Sequence, residues 1–231
     1  MALGLFLVAF LSAVAVGGLG IGVAEGLGLV AAGGTGAQLL GMALSVLGFG
    51  VGVGGFLGVT GRLGVVDLRV PTRRDALWAV GGLVTIILLA LVIEQLLAAA
   101  RVDVAQNNVV RILEETPAVV PYLVVISLLF VGPFEELLFR GGVQGLLRDA
   151  WGSRNAVLVA SGLFGAAHLP ALVGTGALAL VAYLSVAAVL GLVLGVIYER
   201  TRNLLVPAVV HGVYNSVLFA VAYVQITGGL G

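Results

Sequence analysis

Four side chains stand out because their types and spacing could carry chemistry: Glu135, His168, His211 and Asn215. Glu135 opens the run Glu135-Glu136-Leu-Leu-Phe-Arg140, His168 closes Phe164-Gly-Ala-Ala-His168, and His211 and Asn215 bracket His211-Gly-Val-Tyr-Asn215. A carboxylate can take a proton from water, and an imidazole can hold that water. A second imidazole and an amide can donate hydrogen bonds to an oxyanion as a carbonyl is attacked. A carboxylate and two histidines are equally a three-ligand zinc set with an open position, which would make Glu135, His168 and His211 metal ligands. Either arrangement leads to hydrolysis of a peptide bond.

Spacing refines this set. Glu136 and Arg140 are four residues apart and can pair on one helix face, while Glu135 points about 100° away and is left for another partner. His211 and Asn215 share a face by the same four-residue step, and Phe164 can wall His168. The simpler reading is structural for each group taken singly: a Glu–Arg pair holding a bundle together, a histidine hydrogen-bonded in a core. The combination at matched depth favours a shared site.

Depth matters because the chain lies in a membrane. Of its 231 residues 61% are hydrophobic and 10% charged, against about 45–50% and 25% in soluble domains. That excludes an ordinary soluble enzyme and a disordered chain. The zero net charge leaves no basic field for nucleic acid. With no Cys, disulfides, thiolate nucleophiles and Cys-ligated metals are excluded. With all 11 basic residues Arg, a Schiff-base lysine and a phosphate loop of the Walker type are excluded too.

The fold class is all-α, a polytopic membrane bundle of about seven to eight helices. Runs of about 20 apolar residues predict spans at 2–24, 37–59, 76–99, 118–147, 155–172, 177–198 and 204–226. The fourth is long and contains Pro133, so a kink, a tilt or a split into two helices is expected. The N-terminal run lacks the charged start of a signal peptide and is long enough to span. Arg62, Arg69, Arg73, Arg74, Arg148, Arg154, Arg200 and Arg202 fall on one side of this topology and only Arg101 and Arg111 on the other. The bias puts the N-terminus in the cytoplasm. Residues 1–75 form a Gly-rich hairpin plus an interfacial segment, and residues 76–231 carry the polar groups. Spacings such as Gly18/Gly22/Gly26 and Gly50/Gly54/Gly58 predict close helix packing. Glu25 and Glu94 are assigned structural or interfacial roles.

Counting 1.5 Å per residue from the flanking arginines, Glu135, His168 and Asn215 lie roughly 20 Å deep and His211 roughly 14 Å. Intramembrane ionisable groups are functional candidates by default. These come from three separate helices at similar depth.

The ordered motifs Glu-Glu-x-x-x-Arg, Phe-x-x-x-His and His-x-x-x-Asn resemble those of the CPBP family, the CAAX protease and bacteriocin-processing family of intramembrane proteases, over about 118–220. The resemblance implies an endopeptidase in which Glu135 activates water with the help of His168. His211 and Asn215 would stabilise the oxyanion, or His211 would ligate a metal, and Glu136 and Arg140 would organise the site. One divalent ion, zinc above all, is a candidate cofactor beside a metal-free glutamate mechanism. The implied partners are membrane lipid and a membrane-associated substrate, prenylated or not, in the cell membrane of a prokaryote. A transporter, or a non-catalytic scaffold or immunity protein, would use the same buried groups for a relay or for packing. Site-2-type, rhomboid-type and presenilin-type protease motifs are absent from the sequence.

Overall fold

The computed structural model describes residues 1–105, 107–172 and 176–228. They form an all-helical bundle, and no strand occurs among them. We number the helices α1 (Ala2–Gly26), α2 (Thr35–Val59), α3 (Arg73–Ala99) and α4 (Asn108–Glu115). A continuous helix α5 (120–151) follows, then α6 (153–166), α7 (Ala177–Thr201) and α8 (Leu205–Thr227). Length and composition suit α1, α2, α3, α7, α8 and the run from Pro117 to Ala166 to a membrane. The chain is a multi-pass membrane protein.

The fourth predicted span remains one helix. Pro133 has no N–H to give the carbonyl four residues before it. The helix absorbs this by widening to π-helical turns at Ser127–Val131 and Leu137–Gln144, on both sides of the turn Gly132–Glu136. Such turns occur at functional sites more often than elsewhere. The break comes later, at Gly152, whose φ of 77° and ψ of 162° are not helical. It separates α5 from α6, so the fourth span does not split at Pro133; six runs, with α5 and α6 counted together, are long and apolar enough to cross a membrane. The short α4 was not foreseen; Asn107 caps it by accepting the Val110 N–H at 3.1 Å.

The predicted fifth span, 155–172, needs correction. Helix α6 stops at Ala166, and a 3-10 turn covers Leu169–Leu172. At about 1.5 Å per residue its 14 residues reach only about 21 Å. Non-helical backbone is tolerated at membrane depth where it is enclosed by protein or lines a cavity, and this helix end does the latter.

Two close approaches set the packing. Helices α1 and α2 touch at Gly48 and Gly52, where an added Cβ would lie 2.6 Å from the Cα atoms of Ala13 and Ala9. The glycines singled out by spacing do not make this contact: a Cβ on Gly18, Gly22, Gly26, Gly54 or Gly58 would meet nothing within 4 Å. Gly50 packs instead under the Phe134 ring of α5. The second approach joins α5 to α8, where Gly132 and Gly212 bring the backbones together; a Cβ on Gly132 would collide with the Ala208 carbonyl. Leu5 of α1 and Val53 and Leu57 of α2 share one apolar core with Leu138, Phe139 and Val143 of α5.

The arginine-bearing connections meet at one end. Asp67, in the segment before α3, takes ion pairs from Arg148 of α5 at 3.3 Å and from Arg202 after α7 at 3.1 Å. Its backbone N–H donates to the Tyr198 hydroxyl at 2.9 Å. Arg69 pairs with Asp75 at 2.7 Å and donates to the Thr201 carbonyl, also at 2.7 Å. Thr72 and Asp75 form a capping box that starts α3.

Candidate active site

Glu135 and Glu136 stand in the α-helical turn that the two π-turns of α5 frame. Glu136 and Arg140 are fully buried and pair as their spacing predicts, with Arg140 Nε 3.1 Å from Oε2 and Nη1 donating to Oε1 at 3.2 Å. The guanidinium also donates to the Gly191 carbonyl of α7 at 2.7 Å and lies 4.7 Å from the centre of the Phe164 ring. A buried charge is tolerated only when paired and hydrogen-bonded, and Arg140 meets both conditions.

Glu136 has a second partner that spacing did not reveal. His211 Nδ1 lies 2.9 Å from Glu136 Oε1. A carboxylate already held by a guanidinium accepts, so Nδ1–H is the donor and Nε2 is left for the cavity. The Gly132–Gly212 contact makes this possible, because it brings His211 of α8 within one hydrogen bond of α5.

His168 lies beyond the end of α6 rather than within it. Its Nδ1 is 2.9 Å from the Phe164 carbonyl, one of the carbonyls left open at the helix end. A carbonyl only accepts, so this ring also carries its proton on Nδ1 and offers Nε2 as an acceptor. Phe164 walls His168 edge-on at 5.0 Å between ring centres, as the four-residue step predicts, and touches His211 at 5.6 Å.

Glu135, His168, His211 and Asn215 all line one cavity of about 240 Å³, bounded further by α2 and α4. A second, mostly apolar cavity of about 170 Å³ shares His168, His211 and Asn215 as lining and reaches toward α3 and α7. Tyr183 of α7 lines both. Its ring centre is 5.9 Å from that of His168, and its hydroxyl accepts from Asn107 Nδ2 at 3.0 Å. Ser127 lines the larger cavity and buries an Oγ that has no hydrogen-bond partner among the described residues. Sequence reasoning missed Tyr183, Asn107 and Ser127. A lone tyrosine in an apolar span was the available signal for the first, and nothing marked the other two.

Chemically, the cavity wall offers a carboxylate, two imidazole Nε2 atoms and an amide. The same residues do not gather as a metal site: among the described residues no three His, Asp or Glu side chains group to hold an ion. Each histidine has committed one ring nitrogen within the protein.

No curated protein and no solved structure matches the chain. Residues 117–217 match a family model described as type II CAAX prenyl endopeptidase Rce1-like. The matched stretch runs from the start of α5 into α8 and contains every motif residue named above. Over residues 117–217, a little under half of its length, the chain is thus similar to the Rce1-like type II CAAX prenyl endopeptidases.

Proposed function

We propose that the protein is an intramembrane endopeptidase that hydrolyses a peptide bond of a membrane-associated substrate, in CAAX-type processing or of a related peptide, using water activated by Glu135. The observation that carries this reading is the meeting of Glu135, His168, His211 and Asn215 at one cavity, behind which a fully buried Arg140–Glu136 pair grips His211. The N-terminal hairpin, residues 1–75, and the motif-bearing part, 76–231, are read as two functional units. The end that carries Asp67, Arg148 and Arg202 is read as cytoplasmic.

The reaction follows from the donors and acceptors. Water hydrogen-bonds to His168 Nε2 and gives a proton to Glu135 as its oxygen bonds to the substrate carbonyl carbon. Negative charge moves to the carbonyl oxygen. Asn215 donates to it through its amide, and His211 donates through Nε2 when both ring nitrogens carry protons. Collapse of the oxyanion breaks the C–N bond, and Glu135 passes its proton to the leaving amine. No step requires a metal.

The test is turnover of a prenylated CAAX-type peptide, beside an unprenylated control, by the purified protein in lipid. Glu135→Gln keeps the shape and removes the base. It is expected to lower kcat by about 10²–10⁴ with the unfolding temperature unchanged. Undiminished turnover in this variant would overturn the assignment.

A further inference from the structure

We propose a binding site for an anionic phospholipid between the start of α6 and the end of α7, apart from the catalytic cavity. A cavity of about 650 Å³ lies there, with Arg154, Arg200 and Arg202 on its walls. That volume lies in the range of small-molecule sites. Arg202 is committed to Asp67 at 3.1 Å. Arg154 and Arg200 are exposed and have no ion-pair partner among the described residues. The one acid on the wall, Glu199, already faces Arg148 at 3.6 Å and accepts from Gln144 at 2.9 Å. The site therefore keeps two free positive charges. The first turn of α6 adds the positive end of its backbone dipole, because Ser153 and Arg154 belong to the lining.

The rest of the wall is apolar and includes Leu158, Leu192 and Val196. Leu158 and Val196 are 51% and 43% exposed on helices that the bilayer surrounds. A soluble anion gains nothing from such a floor, whereas an acyl chain does. Trp151, 57% exposed just before the Gly152 break, is the residue type that settles at headgroup level. Charge above, hydrocarbon below and an interfacial indole beside them match a phosphate headgroup with its chain descending between α6 and α7. Basic pockets between transmembrane helices recognise anionic lipids in this way.

The experiment is native mass spectrometry of the full chain in detergent, titrated with phosphatidylglycerol, phosphatidylcholine or inorganic phosphate, with the unfolding temperature measured in parallel. Phosphatidylglycerol should be retained and raise the unfolding temperature, and phosphatidylcholine and phosphate should do neither. The double variant Arg154→Ala/Arg200→Ala should bind phosphatidylglycerol about 30-fold more weakly, from the usual contribution of each arginine near a lipid surface. Its peptide turnover in phosphatidylcholine should match the parent's, which also shows that it folds. Equal retention by parent and double variant, retention of phosphatidylcholine as strong as phosphatidylglycerol, or an equal response to inorganic phosphate would each overturn the proposal.

Discussion

At the level of single residues, the two adjacent glutamates do different things because their surroundings differ. Glu136 is fully buried between Arg140 and His211; Glu135 is half-buried and lines the cavity. The helix rotation of about 100° between neighbours sends one inward and leaves the other facing the cavity. Removing Glu136 strands a guanidinium in the core. Glu136→Ala should therefore lower stability by about 3–5 kcal/mol, read as a fall in unfolding temperature in detergent, where Glu135→Gln leaves that temperature unchanged. The same geometry bears on metals. With no three-ligand group among the described residues, turnover should survive a strong chelator, although each histidine keeps Nε2 free for the cavity. Loss of activity restored by zinc would instead make Glu135, His168 and His211 its ligands.

At the level of elements, the site exists because helices are interrupted or pressed together at particular places. Helix α6 ends early, and His168 satisfies one of its open carbonyls while presenting its other nitrogen to the cavity. Helices α5 and α8 approach closely at Gly132 and Gly212, which is what joins Glu136 to His211. Gly132→Val should push these helices apart, costing about 1–3 kcal/mol and most of the turnover. Gly18→Val, at a position open to the surroundings, should leave turnover unchanged. A peptidase assay and a melting curve on the two variants check this. The motif spacing along each helix was legible in the sequence. The partner of His211 was not, because 75 residues separate it from Glu136 and only the helix crossing brings them together.

At the level of the whole molecule, the segment before α3 ties the N-terminal hairpin to the motif-bearing helices. Asp67 receives Arg148 and Arg202 and donates its N–H to Tyr198. Arg148 and Asp67 are mostly buried, at 12% and 29% side-chain exposure, so their pair resists screening better than the exposed Arg202 contact. Asp67→Ala should lower stability by about 1 kcal/mol once solvent screening is allowed for. The loss should shrink as salt is raised, since salt already weakens the parent's pair. Melting curves at low and high ionic strength check both statements. The clasp also gathers three connections that sequence alone put on one side of the membrane by their arginine excess. Their meeting in space is the tertiary counterpart of that bias.

Composition and periodicity were enough to establish a membrane-spanning helical bundle and to isolate the Glu, His and Asn residues of the candidate site. Apolar run length and the scarcity of buried charge are properties of the chain itself. Local order was also legible: the Glu136–Arg140 pair and the Phe164–His168 contact follow from the helix repeat. Which glycines carry helix contacts, where α6 stops, and that Glu136 holds His211 depended on tertiary structure. Each is set by how close two backbones come, and closeness between distant segments is decided by the packing of the whole bundle. Tyr183 and Ser127 join the site for the same reason: a lone polar residue in an apolar run acquires a role only from the helices that enclose it.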